Sequence, residues 1–110
     1  MINDASFGPV LLFGLGGVFA ETLKDVAYRV APFGLAEAKA MIFELRGHAM
    51  FEGVRGRPPA DVEALAHTLA SVSALAWTMR DRLAELDINP LLVRPRGLGV
   101  VAADALVVLR

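Results

Sequence analysis

The chain has 110 residues, enough for one domain with a hydrophobic core and too few for a multidomain enzyme. Its net charge is −1 with acidic and basic residues interspersed, which excludes the basic stripe of a typical nucleic-acid-binding protein. The absence of cysteine excludes disulfides, thiolate metal ligands and a cysteine nucleophile, and it fits a reducing cytoplasm, where we expect the protein.

Two long uncharged segments, residues 5–20 and 64–79, fall short of a membrane span. The first contains Pro9 and four glycines, and the second contains His67 and several hydroxyl side chains. A spanning helix needs about 20 consecutive, predominantly apolar residues. No basic region precedes an apolar run at the N-terminus, as it would in a signal peptide. We therefore expect no membrane association.

The first half of the chain predicts strands that lead into a helix. Val10–Phe13 is a short apolar run before a glycine-rich turn, and residues 18–21 and 26–31 have the character of extended segments. Apolar residues then recur at helical spacing from Leu35 to Leu45, which predicts about three turns of helix. Residues 46–57, rich in glycine and basic side chains, predict an irregular loop.

The second half predicts one long helix and a closing hairpin. Pro58-Pro59-Ala60-Asp61 is typical of a helix start, and an apolar stripe follows from Val62 to Met79. Residues 85–91 and 100–109 predict two strands joined by a turn. This order of elements predicts an α+β fold in which two helices flank a largely antiparallel sheet.

The polar residues of the predicted hairpin are the clearest candidates for a functional site. Alternation along a strand places Glu85, Asp87 and Asn89 on one face. If the turn is centred on residues 96–97, Asn89 lies opposite Asp104 with Cβ atoms roughly 4.5–5.5 Å apart. A bulge in either strand would shift this register. The sequence thus predicts that one amide and two acids lie close together.

Oxygen ligands of this kind suit Mg²⁺, which usually binds through one or two carboxylates plus the phosphates of a substrate. Asp87, Asn89 and Asp104 are therefore candidate metal ligands, and the pattern points to nucleotide chemistry. The alternative is the solvated outer face of an edge hairpin, because exposed aspartate and asparagine are common. The residues by themselves leave both interpretations open.

Other polar positions give weaker signals. Arg55 and Arg57 precede a helix N-terminus, where arginine forks and the helix dipole favour a phosphate, although most surface arginines bind nothing specific. The turn at 14–17 either brings backbone close to a ligand or is purely structural, since it lacks the spacing of a phosphate-binding motif. Glu21 and Asp25 are either site residues or strand-end acids. No residue is assigned a catalytic role.

Four segments of the chain, taken in order, resemble a single family. They are residues 7–19, 24–32 and 53–61, and the pair formed by 85–91 with 101–105. These segments are similar to the second half of the ATP-grasp domain of ADP-forming acyl-CoA (acetyl-CoA) synthetases, relatives of the succinyl-CoA synthetase β subunit. The resemblance covers nearly the whole chain. We therefore expect residues 1–110 to form a single, partial ATP-grasp domain.

The resemblance implies an activity, cofactors and site residues. The family makes an acyl-CoA from a carboxylic acid and CoA while ATP becomes ADP and phosphate, and its ATP-grasp part holds the Mg-nucleotide. By match of motif, Asn89 and Asp104 resemble the Mg²⁺ ligands, with Asp87 in the adjoining acidic position. Arg55 lies in the loop that resembles the nucleotide-facing segment. Glu21, after the glycine turn, is a weaker match to a nucleotide-binding residue.

The resemblance also implies that other parts of such an enzyme lie outside this sequence. The first half of the ATP-grasp domain, the CoA-binding domain and the phosphohistidine segment have no counterpart in it. We therefore expect the chain alone to be inactive and to depend on the remainder of a parent synthetase.

Two other functions stay open. The chain could be the ATP-grasp region of a synthetase-like protein lysine acetyltransferase, or a non-catalytic interaction module. A mean hydropathy of +0.52 is high for a soluble monomer and leads us to expect self-association.

Overall fold

The computed structural model describes residues 1–15, 25–53 and 56–110. Its strands are β1 (Ile2–Asp4), β2 (Gly8–Gly14), β3 (Val26–Val30), β4 (Leu83–Ile88), β5 (Leu91–Val93), β6 (Val100–Ala102) and β7 (Ala105–Leu109). Its helices are α1 (Leu35–Glu44), a 3-10 helix (Arg46–Glu52) and α2 (Val62–Thr78). The extended segment predicted at residues 18–21 lies outside the described residues.

The main sheet has five antiparallel strands in the order β3-β2-β1-β4-β7, while β5 and β6 form a separate pair. The hydrophobic core joins Leu11 and Ala27 of this sheet to Met41 of α1 and Leu65 of α2. The predicted α+β class, with helices against a largely antiparallel sheet, is confirmed. In the part of the chain that the structure describes, no helix is long and apolar enough to cross a membrane.

The two faces of the main sheet differ in their surroundings. The side that faces the helices carries the buried Leu11, Ala27 and Leu86, although Val107 of β7 on the same side is exposed. The other side, which we call the open face, carries the alternate residues of the same strands, and many of these are exposed and apolar: Ile2, Leu12, Tyr28, Val30, Leu106 and Val108. Asp87 lies on this open face because it pairs with Leu106.

The local predictions need three corrections. β1 was not predicted, because three residues are too few to show a strand period. Residues 46–52 form a 3-10 helix in place of the predicted loop. The buried face of α2 differs from the predicted stripe, because Leu75 is 47% exposed and Ser73 is fully buried. The Ser73 hydroxyl accepts a hydrogen bond from the Phe33 amide at 2.8 Å.

Asp61 connects the start of α2 to the turn of the closing hairpin. Its side chain caps the helix by accepting from the Ala64 amide at 3.1 Å, and its other oxygen accepts from the amides of Gly97 and Gly99 at 3.0 and 2.9 Å. The Asp61 amide also donates to the Arg94 carbonyl at 2.8 Å. The amide donors, Ala64 first and then Gly99, lower the pKa of the Asp61 carboxyl because they favour its charged form.

Replacing Asp61 with asparagine should loosen the contact between α2 and the hairpin. One carboxylate oxygen becomes an amino group, which cannot accept the hydrogens of two glycine amides. We expect the midpoint of thermal unfolding at pH 7 to fall by about 5 °C, the shift typical of losing one polar interaction in a domain of this size. Asp81→Asn makes the same chemical change at an exposed aspartate and is the matched control. It should leave the unfolding midpoint nearly unchanged.

The effect of Asp61 on stability should also depend on pH with a defined sign. Since folding lowers the pKa of this carboxyl, its contribution is fully present above about pH 4 and is lost as the pH falls through the folded-state pKa. The unfolding midpoint of the wild type should therefore approach that of Asp61→Asn in acid. A difference between the two proteins that stays constant from pH 7 to pH 2 would contradict this reasoning.

The loop before α2 contains a matched pair of glycines. Gly53 and Gly56 both have positive φ, at 81° and 75°. A Cβ at Gly53 would lie 2.5 Å from the Arg57 carbonyl oxygen and 2.9 Å from the Pro59 nitrogen, whereas a Cβ at Gly56 would meet nothing within 4 Å. The backbone therefore approaches Gly53 closely and leaves Gly56 in open space.

Gly53→Ala should be more destabilising than Gly56→Ala. Both substitutions carry the cost of a left-handed side chain, about 1–2 kcal/mol, but only the first adds overlap with neighbouring backbone, which typically costs about 1–3 kcal/mol more. Denaturant unfolding of the two variants measures the difference directly. Equal losses of stability would mean that this loop relaxes without cost.

Candidate functional site

A single register runs through the whole closing hairpin. Ile88 pairs with Ala105 in the main sheet, and Leu91 pairs with Ala102 in the small sheet. Between these pairs the Asn89 amide donates to the Asp104 carbonyl at 3.1 Å. The predicted register, centred on residues 96–97, is thus confirmed. The irregularity in β4 lies between Leu83 and Glu85, away from the candidate ligands, so it does not shift them.

The hairpin is divided where the sequence predicts a continuous strand. Residues 100–109 form β6 and β7 with a break at Ala103 and Asp104, opposite Asn89 and Pro90. Pro90 has no N–H to donate, although its carbonyl accepts from the Ala103 amide at 3.0 Å. The candidate ligands therefore lie at the junction between the two sheets.

Asn89 and Asp104 occupy directly opposite positions at this junction, and Asp87 lies two residues before Asn89 along the chain. All three are exposed. The Asp104 Oδ1 accepts from the amide of Ala105 at 2.9 Å, which orients the carboxylate on its own backbone. Alternation along paired strands puts all three positions on the same side of the ladder. The structure therefore brings together the three residues that the sequence singled out.

The donor chemistry of these residues fits Mg²⁺. Two carboxylates and one amide supply only oxygen ligands, which this hard cation prefers. The described residues contain no group of three or more His, Cys, Asp and Glu side chains placed to hold a metal ion. Two carboxylates and one amide would leave other ligand positions of a Mg²⁺ ion to phosphates and water, as in nucleotide sites.

A cavity of about 250 Å³ lies beside the junction. Asp87 and Asn89 contribute to its edge, and apolar residues of β2 and α2 form much of the rest, including Leu12, Phe13, Leu65 and Leu69. Asp104 is not part of the lining. The sequence analysis missed this cavity, because its walls come from elements far apart in the chain and share no motif.

Several other predicted site residues lie outside the described part of the chain. These are Glu21, Arg55 and the second half of the glycine turn, Gly16 and Gly17. Arg57 and Gly56, next to Arg55, are exposed. The proposed nucleotide-binding roles of Glu21 and Arg55 therefore stay predictions.

Asp25, for which two interpretations were open, has a structural role. It is only 8% exposed, and its two oxygens accept from the amides of Arg46 and Gly47 at 2.7 and 2.9 Å. These amides begin the 3-10 helix, whose first N–H groups have no partner within the helix itself. A Cβ at Gly47 would lie 2.5 Å from the Leu15 Cδ1, so the packing around this contact is tight. Asp25 thus holds residues 46–52 against the start of β3.

Comparison with known proteins identifies the family. The model of a family described as an ATP-grasp domain matches residues 1–109. The chain is 41% identical over 108 residues to ADP-forming acetate–CoA ligase II subunit beta of Pyrococcus furiosus. The matched region covers 98% of this chain and 46% of that subunit. It is 43% identical over 101 residues to ADP-forming acetate–CoA ligase I of Archaeoglobus fulgidus, covering 92% of this chain and 15% of the relative. The chain thus spans about half the length of the subunit relative and a smaller part of the longer one.

Solved structures agree with the sequence comparison. The apo form of the dinucleotide-forming acetyl-coenzyme A synthetase 1 of Ca. Korarchaeum cryptofilum superposes with a TM-score of 0.91 at 38% identity, over 99% of this chain and 50% of that one. The same synthetase in complex with coenzyme A and Mg-AMPPCP gives a TM-score of 0.90 at 38% identity, again over 99% of this chain and 50% of that one. The chain therefore belongs to the ATP-grasp family and is similar to part of the ADP-forming acetate–CoA ligases.

Proposed function

We propose that this chain contributes Mg-nucleotide binding for phosphoryl transfer to an ADP-forming acyl-CoA synthetase, an acid–CoA ligase. The observation that carries the proposal is the hairpin register, which sets Asn89 opposite Asp104 and near Asp87 on an exposed side of the ladder. The names of three similar proteins, each of which describes an ADP-forming CoA ligase, support the reaction class. The Mg-AMPPCP complex of the similar Korarchaeum synthetase supports the nucleotide.

Asp87, Asn89 and Asp104 are the residues that would hold the metal ion. When bound, Mg²⁺ neutralises charge on the phosphate oxygens and orients them for in-line transfer. The carboxylates of Asp87 and Asp104 provide negative oxygens, and the side-chain carbonyl of Asn89 provides a neutral one. Such a set binds the ion weakly enough to require phosphates as further ligands.

The strand ladder keeps these side chains in place before any ligand arrives. Backbone hydrogen bonds on both sides of the junction, from Asn89 to Asp104 and from Ala103 to Pro90, fix the spacing of the two chains. The contact of the Asp104 carboxylate with the Ala105 amide restricts its rotation. Asn89 directly follows β4 and Asp104 directly precedes β7, and sites held by strands are more precise than sites on loops. This rigidity supports assigning the metal to the junction.

The rest of the proposed site involves segments beyond this junction. We assign nucleotide-binding roles to Arg55 and Glu21, because an arginine fork suits phosphate oxygens and because both positions match the family pattern. The remainder of a parent synthetase would complete the nucleotide site and bind CoA. Residues 1–110 would then form a single, partial ATP-grasp domain. The exposed apolar side chains on the open face, among them Leu12 and Tyr28, fit a surface that is covered in the whole enzyme.

Calorimetric titration of the 110-residue chain with Mg-ADP tests the proposal. We expect the wild type to bind, and we expect Asn89→Ala and Asp104→Ala each to weaken binding at least tenfold, equivalent to about 1.4 kcal/mol. A titration with ADP and EDTA should resemble that of the variants, because their defect is the loss of the metal. Asp87→Ala should weaken Mg-ADP binding less than these two substitutions, because Asp87 matches the acidic position adjoining the two Mg²⁺ ligands.

Asp81→Ala is the matched control for charge. It removes one exposed acid near the opposite end of β4, away from the junction, and should leave the affinity unchanged. Two results would contradict the proposal. One is equal affinity in the wild type and in Asp104→Ala. The other is the absence of binding in a wild-type protein whose thermal unfolding shows that it is folded.

A further inference from the structure

β7 is an edge strand of the main sheet, and all five of its residues are exposed. Its sequence, Ala-Leu-Val-Val-Leu, contains no charged residue and no proline. Among the described residues, no strand pairs with β7 on the side away from β4. Edge strands of natural proteins commonly carry charges or prolines that discourage pairing with another chain. β7 lacks both features, so its sequence favours such pairing.

The opposite edge of the sheet is different. β3 carries Arg29, whose guanidinium bonds to Glu37 at 2.8 Å and to Glu44 at 2.9 Å, both on α1. A charged side chain held on an edge strand is one of the features that discourage pairing with another chain. The apolar edge at β7 is therefore the better candidate for an interface.

The hydrogen bonds of β4 show which way the centre of β7 faces. The Leu86 amide donates to the Met1 carbonyl at 3.2 Å, and the Leu86 carbonyl accepts from the Met1 nitrogen at 2.8 Å. Leu86 thus directs both backbone groups toward β1. Its partner on β7 is Val107, which therefore turns its own N–H and C=O groups away from β4.

The two ends of β7 agree with this assignment. The Asp104 carbonyl accepts from the Asn89 amide at 3.1 Å, and the Arg110 amide donates to the Arg82 carbonyl at 3.0 Å. Both ends thus bond toward the β4 side. Successive residues of an antiparallel strand turn their backbone groups to alternate sides. The residues that direct N–H and C=O groups outward are therefore Ala105, Val107 and Leu109.

Two copies of β7 match each other around a two-fold axis at Val107. Val107 then faces Val107 of the second copy, and Ala105 faces Leu109 of the second copy at both ends. Opposed outward-facing residues of antiparallel strands exchange both of their N–H···O bonds, so every outward residue of β7 is paired. An axis one residue away in either direction leaves Leu109 or Ala105 without a match in β7. The backbone thus favours one register.

The same register pairs opposite charges. It sets Asp104 opposite Arg110 of the second copy, and symmetry makes this pair occur twice. Residues opposed in this way do not bond through their backbones, which leaves their Cα atoms about 4.5 Å apart and their side chains close. The Arg110 guanidinium uses one nitrogen to donate to the Arg80 carbonyl, so further N–H donors are free for a carboxylate. Opposite charges directly across two strands stabilise the pairing.

The Asp104 carboxylate now bonds to an amide that the pairing needs. Its Oδ1 accepts from the outward-facing Ala105 amide at 2.9 Å. In the pair this amide would donate to the Leu109 carbonyl of the second copy, and the carboxylate would accept from Arg110 of the second copy. Each group exchanges one partner for another, so pairing leaves neither of them unsatisfied.

We infer that a second copy of this chain pairs with β7, antiparallel and centred on Val107, which joins two main sheets into one continuous sheet. The pairing also brings exposed apolar side chains together, because Leu106 comes to lie opposite Val108 of the second copy. Since Asp104 is a candidate metal ligand, the second copy would place Arg110 beside the proposed nucleotide site. Only this last consequence rests on the proposed function.

Val107→Pro tests the pairing without changing the ladder between β7 and β4. Proline removes the outward N–H of this residue and puts its ring in the path of the second copy, whereas Leu106 and Val108 keep their partners on β4. Val107→Ala is the matched control, because it shortens the same side chain and keeps the N–H. Analytical ultracentrifugation measures the molar mass against protein concentration, and circular dichroism shows whether each variant is folded.

We expect the wild type and Val107→Ala to change from 11.7 kDa toward about twice that mass as concentration rises, and Val107→Pro to stay monomeric. A wild type that is monomeric at every concentration would overturn the inference. So would a folded Val107→Pro variant that dimerises as tightly as Val107→Ala, because the chains would then associate through another surface.

Variants of the ion pair test the register and stay informative if Val107→Pro does not fold. Arg110→Glu sets two acids opposite each other and should raise the dissociation constant of the dimer at least tenfold, since like charges directly across strands are destabilising. Arg110→Lys keeps the charge and should bind nearly as tightly as the wild type. Exchanging the charges within one chain, Asp104→Arg with Arg110→Asp, should restore the dimer. Equal affinities for Arg110→Glu and Arg110→Lys would contradict this register.

The outcome is separable from that of the nucleotide titration. Ultracentrifugation is carried out without Mg²⁺ or nucleotide, so a dimer that Val107→Pro abolishes supports the pairing even if Mg-ADP does not bind. Conversely, loss of nucleotide affinity in Asn89→Ala supports the metal site even if the wild type is monomeric.

Discussion

The unbroken register of the closing hairpin is the constraint on which the candidate site depends. From Glu85 opposite Val108 to Val93 opposite Val100, the two chains keep one pairing through a change of sheet and a proline. A shift of β7 by one residue relative to β4 would move Asp104 to the opposite face from Asn89. The turn at residues 96–97 and the backbone hydrogen bonds across the junction therefore fix the positions of the candidate ligands.

Two buried carboxylates attach the irregular parts of the chain to this framework. Asp61 binds three backbone amides and joins α2 to the hairpin turn, while Asp25 binds two amides and joins the 3-10 helix to β3. In both cases a side chain completes hydrogen bonds that helix ends and turns leave unmade. Apart from the cap on Ala64, these contacts join residues that are distant in sequence. They explain how a small domain with long connections holds its loops without disulfides.

The exposed features of the chain lie next to one another. The open face carries apolar side chains such as Leu12 and Leu106, the junction carries Asp87, Asn89 and Asp104, and the cavity of about 250 Å³ lies beside the junction. Exposed apolar surface is unfavourable in water, and a protein gains stability when another chain covers it. The proximity of these features supports the view that covering the open face and completing the proposed nucleotide site are related events.

The sequence by itself determined the class of fold, the long helix beginning after Asp61 and the pairing of Asn89 with Asp104. These features depend on short-range rules: helical or strand periodicity, helix capping, and counting outward from a turn. The register could be predicted because the two strands are joined directly by the turn at residues 96–97, so that their pairing follows from distance along the chain.

Only the tertiary structure decided the features that join distant parts of the chain. The insertion of β1 between β2 and β4 brings Ile2 beside Glu85, and no local pattern reports that pairing. The same holds for the structural role of Asp25 and the exposure of Leu75, because each depends on which element packs alongside. Backbone hydrogen-bonding groups are identical in every non-proline residue, so a sequence cannot show which of them lack a partner until the sheet order is known.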